Sequence, residues 1–303
     1  MHTLKALPLA LLLIASSPLA RADTPINASR PLNRDAKVSI SNVSGEVTVH
    51  GWDQDRIEIT GSLGDGAKPL IIKGDRNAIE IKVEAAKQSG WLNWGVDSHM
   101  KPSVLDIRLP RGVTLDIDVV SADATVAELA GGAIDIDSVS GRVRIDANSP
   151  KVTVDSVSGN VDFRGQATQL DIETVSGDIQ APAAGSREAS LETVSGDVHF
   201  QGAAITQLDT STVSGDLALG GSLASGGSIK AESMSGDVTL DLPGNASAKL
   251  EASSFSGRIE SGFGDVKEPE HGPGSSLNTT LGAGDGRIHL ESFSGDIRIR
   301  RAN

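Results

Sequence analysis

A short motif that returns through the whole chain constrains the fold more than any other feature. A tetrad resembling Val-Ser-Gly-Asp occurs in ten copies, and Ala122 holds the glycine place in one of them. The tetrad glycines are Gly45, Gly141, Gly159, Gly177, Gly196, Gly215, Gly236, Gly257 and Gly295. From Ala122 onward the copies are 19, 18, 18, 19, 19, 21, 21 and 38 residues apart, and the last interval is twice 19. Such a period is typical of solenoids, whose repeats bury their apolar faces by stacking.

Aligning the copies on the glycine reveals further columns. Apolar residues recur mostly seven, five and two positions before it, as at Leu170, Ile172 and Val175, and two and four positions after it. Alternation with a period of two predicts half-buried β-strands. The apolar parity changes between five and two before the glycine, which predicts two short strands per repeat joined by a bend, with about five core side chains. No sustained helical period occurs, so the mature chain is predicted to be nearly free of helix.

Energetics favour stacked repeats over independent ones. Burying one apolar side chain contributes about 1.5–3 kcal/mol, whereas ordering one residue costs on the order of 1–2 kcal/mol. One repeat therefore cannot fold alone, and we predict an all-β fold, a β-solenoid with 18 to 21 residues per rung. A sandwich or barrel is the alternative. The tetrad glycine is expected at a tight corner, and the tetrad serines are expected to form a hydroxyl ladder that satisfies corner backbone groups.

The beginning of the chain has the organisation of a secretory signal peptide. Lys5 precedes an apolar run from Ala6 to Ile14, and Ala20-Arg21-Ala22 offers small residues at the two positions that a signal peptidase reads. We expect residues 1–22 to be removed and the mature protein to be periplasmic or secreted. The chain has no cysteine, which excludes disulfides and thiolate metal sites. No later segment is long and apolar enough to predict a transmembrane helix.

The rest of the sequence divides into two parts. Residues 23–104 hold one tetrad and several strand-like runs, and they are expected to start the solenoid and cap its first edge. Residues 105–303 are predicted to form the regular solenoid, with an insertion at about 262–286 that is rich in Gly and Pro. Arg298, Arg300 and Arg301 close the chain and are expected to discourage end-to-end pairing.

The motifs together resemble a known bacterial family. Residues 105–112 (LDIRLPRG) and 115–118 (LDID), followed by the repeated Val-Ser-Gly-Asp tetrads, are similar to the exported β-strand-repeat domain of unknown function that is called "putative adhesin". The resemblance covers roughly residues 36–300. It implies a single-stranded, right-handed β-helix outside the cytoplasm, and it implies no known enzyme activity, cofactor or catalytic residue.

Two acidic columns accompany the tetrads. Five successive rungs carry an acidic residue four positions before the glycine, and four successive rungs carry aspartate directly after it. The members of the first column are Asp118, Asp137, Asp155, Glu173 and Glu192, then Glu232 and Glu291, and those of the second include Asp178, Asp197, Asp216 and Asp237. The favoured interpretation is a solvated acidic face that prevents lateral aggregation. Binding of a divalent cation between stacked carboxylates is the alternative, and no metal site is predicted.

Trp91 and Trp94 are the candidate partner-binding residues. They lie three apart in a loop at 87–103 and could anchor an envelope protein, a glycan or a lipid surface, or else fold back over the solenoid. Trp52 is interpreted as a core residue.

None of the six histidines has metal-ligand spacing with another. A net charge of −13 makes nucleic acid an unfavourable partner.

These observations predict a non-catalytic, exported cell-envelope protein with a structural or binding role. No catalytic residue or cofactor is predicted, because acid–base chemistry needs a few carboxylates that converge in contrasted environments, whereas these carboxylates are spread evenly over many rungs. A β-helix that degrades polysaccharide and a component of envelope-stress sensing remain the alternatives.

Overall fold

The computed structural model describes residues 24–86, 100–268 and 273–302, and these residues form twenty strands and no helix. Within that part of the chain no helix could therefore cross a membrane. The strands are β1 Thr24–Pro31, β2 Lys37–Trp52, β3 Arg56–Leu63, β4 Ile71–Gly74, β5 Ala78–Val83, β6 Ser103–Pro110, β7 Thr114–Ala130, β8 Ile134–Ser140, β9 Val143–Ser158, β10 Val161–Thr174, β11 Ile179–Ala184, β12 Glu188–Thr193, β13 Val198–Thr212, β14 Leu217–Ser233, β15 Val238–Pro243, β16 Ala248–Ser254, β17 Ile259–Ser261, β18 Ser275–Leu281, β19 Gly286–Ser292 and β20 Ile297–Ala302.

Successive rungs stack in parallel with equivalent residues side by side. Leu170, seven before its tetrad glycine, lies opposite Val152 of the preceding rung and Ala189 of the following one. After the corner, Val161 lies opposite Val143 and Ile179 in the same way. Each rung thus adds one segment before the corner to a first parallel face and one segment after it to a second. The predicted all-β solenoid is confirmed.

The order of rungs differs from the order of the chain at both ends of the stack. The first repeat, β2, pairs with β7 on one side and with β5 and β6 on the other, so it is not the outermost rung. The last repeat, β19 and β20, lies between β14–β15 and β16–β17. Both terminal repeats of the described chain are therefore held between two neighbours.

Antiparallel strands pair with β5 and β6 of one outer rung and with β16 of the other. At one end β4 runs antiparallel to β5, while β3 runs antiparallel to β6 and carries β1 on its far side. At the other end β18, which follows the Gly- and Pro-rich segment, runs antiparallel to β16. The expectation that the terminal arginines guard the last edge is wrong for Arg298, because Ile297–Ile299 pair with both β15 and β17; Arg300 and Arg301 lie beyond the end of β17 and pair with β15 alone.

The tetrad glycine is required by crowding at the corner. A Cβ added at Gly196 would overlap the carbonyl oxygen of Gly177, and one added at Gly215 would overlap that of Gly196. Gly45 and Gly141 also adopt positive φ angles of 119° and 134°, a region that side chains disfavour. Each corner therefore sits directly on the one before it, as the sequence analysis anticipated.

At the corner, the side chain two before the tetrad glycine points in the opposite direction to the one predicted from the sequence. The Ser or Thr three before the glycine is buried, so the apolar residue two before it points outward and is not a core residue. The buried hydroxyl has a structural role: Thr193 donates to the carbonyl of Gly177 at 3.3 Å, and Ser292 donates to that of Gly236 at 3.2 Å. These buried residues, and not mainly the exposed tetrad serines, supply the hydroxyls at the corner. The change of parity falls at the corner itself.

Candidate functional site

The most unusual surface of the molecule is a line of exposed apolar side chains parallel to the stacking axis, here called the apolar file. Its members stand two before the tetrad glycine, and from Val120 onward they are 45% to 57% exposed. In stacking order they are Val43, Val120, Val139, Val157, Val175, Val194, Val213, Met234, Phe293 and Phe255. Contiguous exposed apolar surface of this length is typical of interaction sites.

The apolar file ends in a pair of stacked aromatic rings. Phe255 and Phe293 have ring centroids 4.9 Å apart and planes inclined by 10°. They are 38 residues apart in the sequence, and they meet because β19 lies beside β16. Towards this end of the file the side chains change from valine to larger, more polarizable groups. An enclosed core of constant width could not accommodate this increase in side-chain volume, whereas an exposed position can.

A line of carboxylates runs next to the apolar file on the first face, here called the acidic file. It comprises the predicted acidic residues four before the glycine, which are Asp118, Asp137, Asp155, Glu173, Glu192, Glu232 and Glu291. Further aspartates that the repeat alignment did not predict stand six before the glycine, at Asp116, Asp135, Asp171 and Asp209, and Thr153 and Ser190 interrupt this column. Because alternate residues of a strand share a face, these three outward columns lie side by side.

The apolar and acidic files enclose an open groove of about 830 Å³. It extends over six rungs, from Asp118 and Val120 at one end to Ser211 and Val213 at the other. One wall of the groove is apolar along its whole length, and the other is anionic over five rungs and ends in Ser211 at the sixth. A second hollow of about 530 Å³ lies near Lys37, Lys73 and Asp135, where β4 and β5 flank the first rungs.

Burial and the crowding of like charges raise pKa values on this face. Burial, and then the neighbouring carboxylates, raise the pKa of Asp137 above its ordinary value, and the pKa of Asp155 and Asp116 rises for the same reasons. The three pKa values shift in the same direction and for the same two reasons. A catalytic carboxylate pair would instead show environments that separate the two pKa values.

The second predicted acidic column has a structural role at the corner. The carboxylate of Asp216 accepts a hydrogen bond from the backbone N–H of Asp237 at 2.8 Å, and Asp197 accepts one from Asp216 at 2.8 Å. Asn160 takes the same place in its rung and accepts from Asp178 at 3.1 Å. At the last of these rungs Arg298 binds Asp237 at 2.6 Å and lowers its pKa. We call this column the aspartate ladder.

Within the part of the chain that the structure describes, one group of side chains has atoms close enough to share a metal ion. A carboxylate oxygen of Glu232, a ring nitrogen of His289 and a carboxylate oxygen of Glu291 lie within 4.8 Å of one another. Glu232 also pairs with Lys230 at 2.8 Å, which already supplies a positive charge there. The group arises because β19 inserts beside β14, a contact that repeat spacing alone does not reveal.

The candidate partner-binding residues Trp91 and Trp94, and the predicted signal peptide at 1–22, lie outside the described residues. Trp52, interpreted from the sequence as core, is only half-buried: its ring nitrogen donates to the carbonyl of Arg56 at 3.0 Å, and the Arg56 guanidinium lies 5.1 Å from the ring centroid.

Comparison with known proteins identifies the family. A putative adhesin from Bacteroides fragilis is 13% identical with a TM-score of 0.43, covering 92% of this chain and 98% of that one. A putative adhesin from Parabacteroides distasonis is 12% identical with a TM-score of 0.45, covering 92% and 98%. A putative lipid binding protein from the same species is 11% identical with a TM-score of 0.39, covering 92% and 97%. No curated protein matches the chain. The model of the Toastrack DUF4097 domain matches residues 35–300, and the chain belongs to this family.

Proposed function

We propose that this chain is an exported, non-catalytic module of the bacterial cell envelope that binds a partner along its apolar and acidic files. The observation that carries the proposal is the exposure of the apolar file over nearly the whole stack. From Ser138 onward the corners use a buried Ser or Thr and a glycine for stacking, but stacking does not require an apolar side chain at the outward position between them. Binding is a sufficient reason for keeping that position apolar in ten copies.

The groove supports binding better than acid–base catalysis. Its carboxylates repeat from rung to rung, and those with shifted pKa values, such as Asp137 and Asp155, shift in the same direction. A polysaccharide-degrading β-helix would require an acid and a base in contrasted environments at one place.

The export part of the proposal rests on the signal-peptide pattern at residues 1–22. Amino-terminal sequencing of the secreted or periplasmic protein is expected to show a first residue near Asp23.

The binding role is tested by affinity capture from envelope extract with three forms of the protein. Val157→Lys/Val175→Lys places charges in the apolar file, whereas Gln180→Lys/Gln201→Lys adds the same charges at exposed positions of the second face. We expect the first variant to lose partners that the wild type and the control retain. Trp91→Ala/Trp94→Ala tests whether the tryptophan loop contributes to the same binding. Identical capture by the wild type and Val157→Lys/Val175→Lys would contradict the proposed function.

A further inference from the structure

The groove has a definite length and width that restrict its occupant. Six rungs are separated by five strand spacings of about 4.8 Å, so the groove is about 24 Å long. Its acidic and apolar walls stand two residues apart along each strand, which is about 7 Å. An occupant must therefore present an apolar stripe and a parallel polar stripe, continuous over this length and close together on one side.

An extended peptide does not meet this requirement. The strands under the groove already pair on both sides, as β8 does with β7 and β9, and β10 does with β9 and β12. They offer no free backbone edge to which a peptide could add as a further strand. An extended peptide also presents only every second side chain to one side, in a single row, so it cannot offer an apolar stripe and a parallel polar stripe together.

An amphipathic α-helix does meet it. A helix of about 16 residues is about 24 Å long, and its apolar stripe borders its polar face along the whole length. Laid along the groove, such a helix would set its apolar stripe against Val157 and Val175 and one polar flank against Asp137 and Asp155. Helix-in-groove binding is an established mode of peptide recognition.

The charge of the groove determines the charge of the helix. The acidic file and the column beside it are anionic, and the whole chain has a net charge of −13. Two copies of this chain packed through the groove would bring carboxylates together, and anionic lipid headgroups would be repelled. We propose that the groove binds a cationic amphipathic α-helix, with Lys or Arg of the helix facing the acidic file; this inference rests on the binding function proposed above.

The test uses a fluorescently labelled, 18-residue peptide of Leu and Lys arranged as an amphipathic helix, titrated with the mature full chain and followed by fluorescence anisotropy. A scrambled peptide of the same composition keeps the charge without the stripe. We expect the scrambled peptide and the Val157→Lys/Val175→Lys variant each to weaken binding by about tenfold or more, which corresponds to about 1.4 kcal/mol. Gln180→Lys/Gln201→Lys should change it by less than about threefold, and added salt should weaken it.

Several results would overturn the inference. Equal binding of both peptides would indicate attraction by net charge alone, and unchanged binding by Val157→Lys/Val175→Lys would remove the groove from the interaction. Val157→Ser/Val175→Ser is the control for misfolding. If this variant keeps the wild-type melting temperature, a loss of its peptide binding is due to the changed surface and not to unfolding. If sedimentation shows self-association that these substitutions abolish while peptide binding persists, the apolar file joins copies of this chain instead. Failure of the peptide together with loss of captured envelope partners would reject the helical partner and leave the binding function intact.

Discussion

At the scale of single residues, the tetrad is a device for stacking corners. The glycine lets one corner lie on the next, the hydroxyl three before it donates to the neighbouring corner in rungs such as that of Thr193, and the aspartate after it accepts a backbone N–H outside. Each of these roles links neighbouring rungs. A substitution in the tetrad is therefore expected to affect two rungs at once.

Gly196→Ala tests the crowding at the corner. Its new Cβ would overlap the carbonyl oxygen of Gly177, so we expect a loss of about 1–3 kcal/mol in the free energy of unfolding. Gly262→Ala is the matched control, because the nearest heavy atoms to its Cβ would lie at 3.6 Å, an ordinary contact distance, and it should change stability by less than about 0.5 kcal/mol. Chemical denaturation measures both. Equal stability of the two variants would mean that the corners are not in contact.

The aspartate ladder predicts a difference between two substitutions at one position. Asp216→Ala removes the acceptor of the Asp237 N–H and should cost about 0.5–1.5 kcal/mol. Asp216→Asn keeps an acceptor, as Asn160 does in its own rung, and should be nearly neutral. Thermal unfolding of the two variants beside the wild type distinguishes them. An asparagine variant as unstable as the alanine variant would show that the charge, and not the hydrogen bond, matters.

The raised pKa of Asp137 makes the free energy of unfolding depend on pH. Its pKa is raised on folding, so the folded state binds this proton more readily than the unfolded state, and the ionised carboxylate opposes folding at neutral pH. Asp137→Asn should therefore stabilise the protein at pH 7, by up to about 0.5 kcal/mol. The advantage should disappear as the pH falls through the raised pKa towards the ordinary value of 3.8. Asp146→Asn is the control, because Asp146 lies opposite Arg164 and should not stabilise.

At the scale of elements, the repeat spacing predicted the strands and their stacking but not the order of the rungs. Spacing reports which residues are equivalent, and Val152, Leu170 and Ala189 align as it predicts. It does not report which copies are neighbours. The insertion of β19 between β14 and β16 depends on the path of the segment after Ser261, which has no counterpart in the other repeats. The handedness of the coil stays a prediction.

The insertion of the last repeat is tested by engineered disulfides, which the absence of natural cysteine makes easy to interpret. Glu232 lies in register with Glu291, and Glu291 with Ser253. We expect Glu232→Cys/Glu291→Cys and Ser253→Cys/Glu291→Cys to cross-link under mild oxidation. Glu232→Cys/Ser253→Cys should not, because about 9.6 Å would separate two strands with a third between them. Mass mapping of non-reduced peptides identifies the bonds. Efficient cross-linking of Glu232→Cys/Ser253→Cys would show that β14 and β16 are direct neighbours, as they follow in the chain, and would contradict the insertion of β19 between them.

At the scale of the whole molecule, stacking converts one outward residue per rung into a continuous surface. The sequence analysis identified the column of Val139 and Val175 but assigned it to the core, because apolar residues in a strand are usually buried. Two features of the sequence pointed the other way. From Ser138 onward a Ser or Thr stands directly before the column, at a position that shares the parity of the buried strand residues, and the column changes from valine to Met234 and phenylalanine. The acidic column was predicted, but its position beside an exposed apolar file was not.

The direction of the apolar file is the claim on which the proposed function depends, and thiol labelling measures it directly. Single cysteines are placed at Val157 and Val175 and, one residue earlier, at Ser156 and Thr174, and each folded protein is treated with a maleimide. We expect cysteines at Val157 and Val175 to react like free thiols, and those at Ser156 and Thr174 to react quickly only after unfolding. The reverse pattern, with the valine positions protected and the hydroxyl positions reactive, would place the apolar file in the core and remove the binding surface.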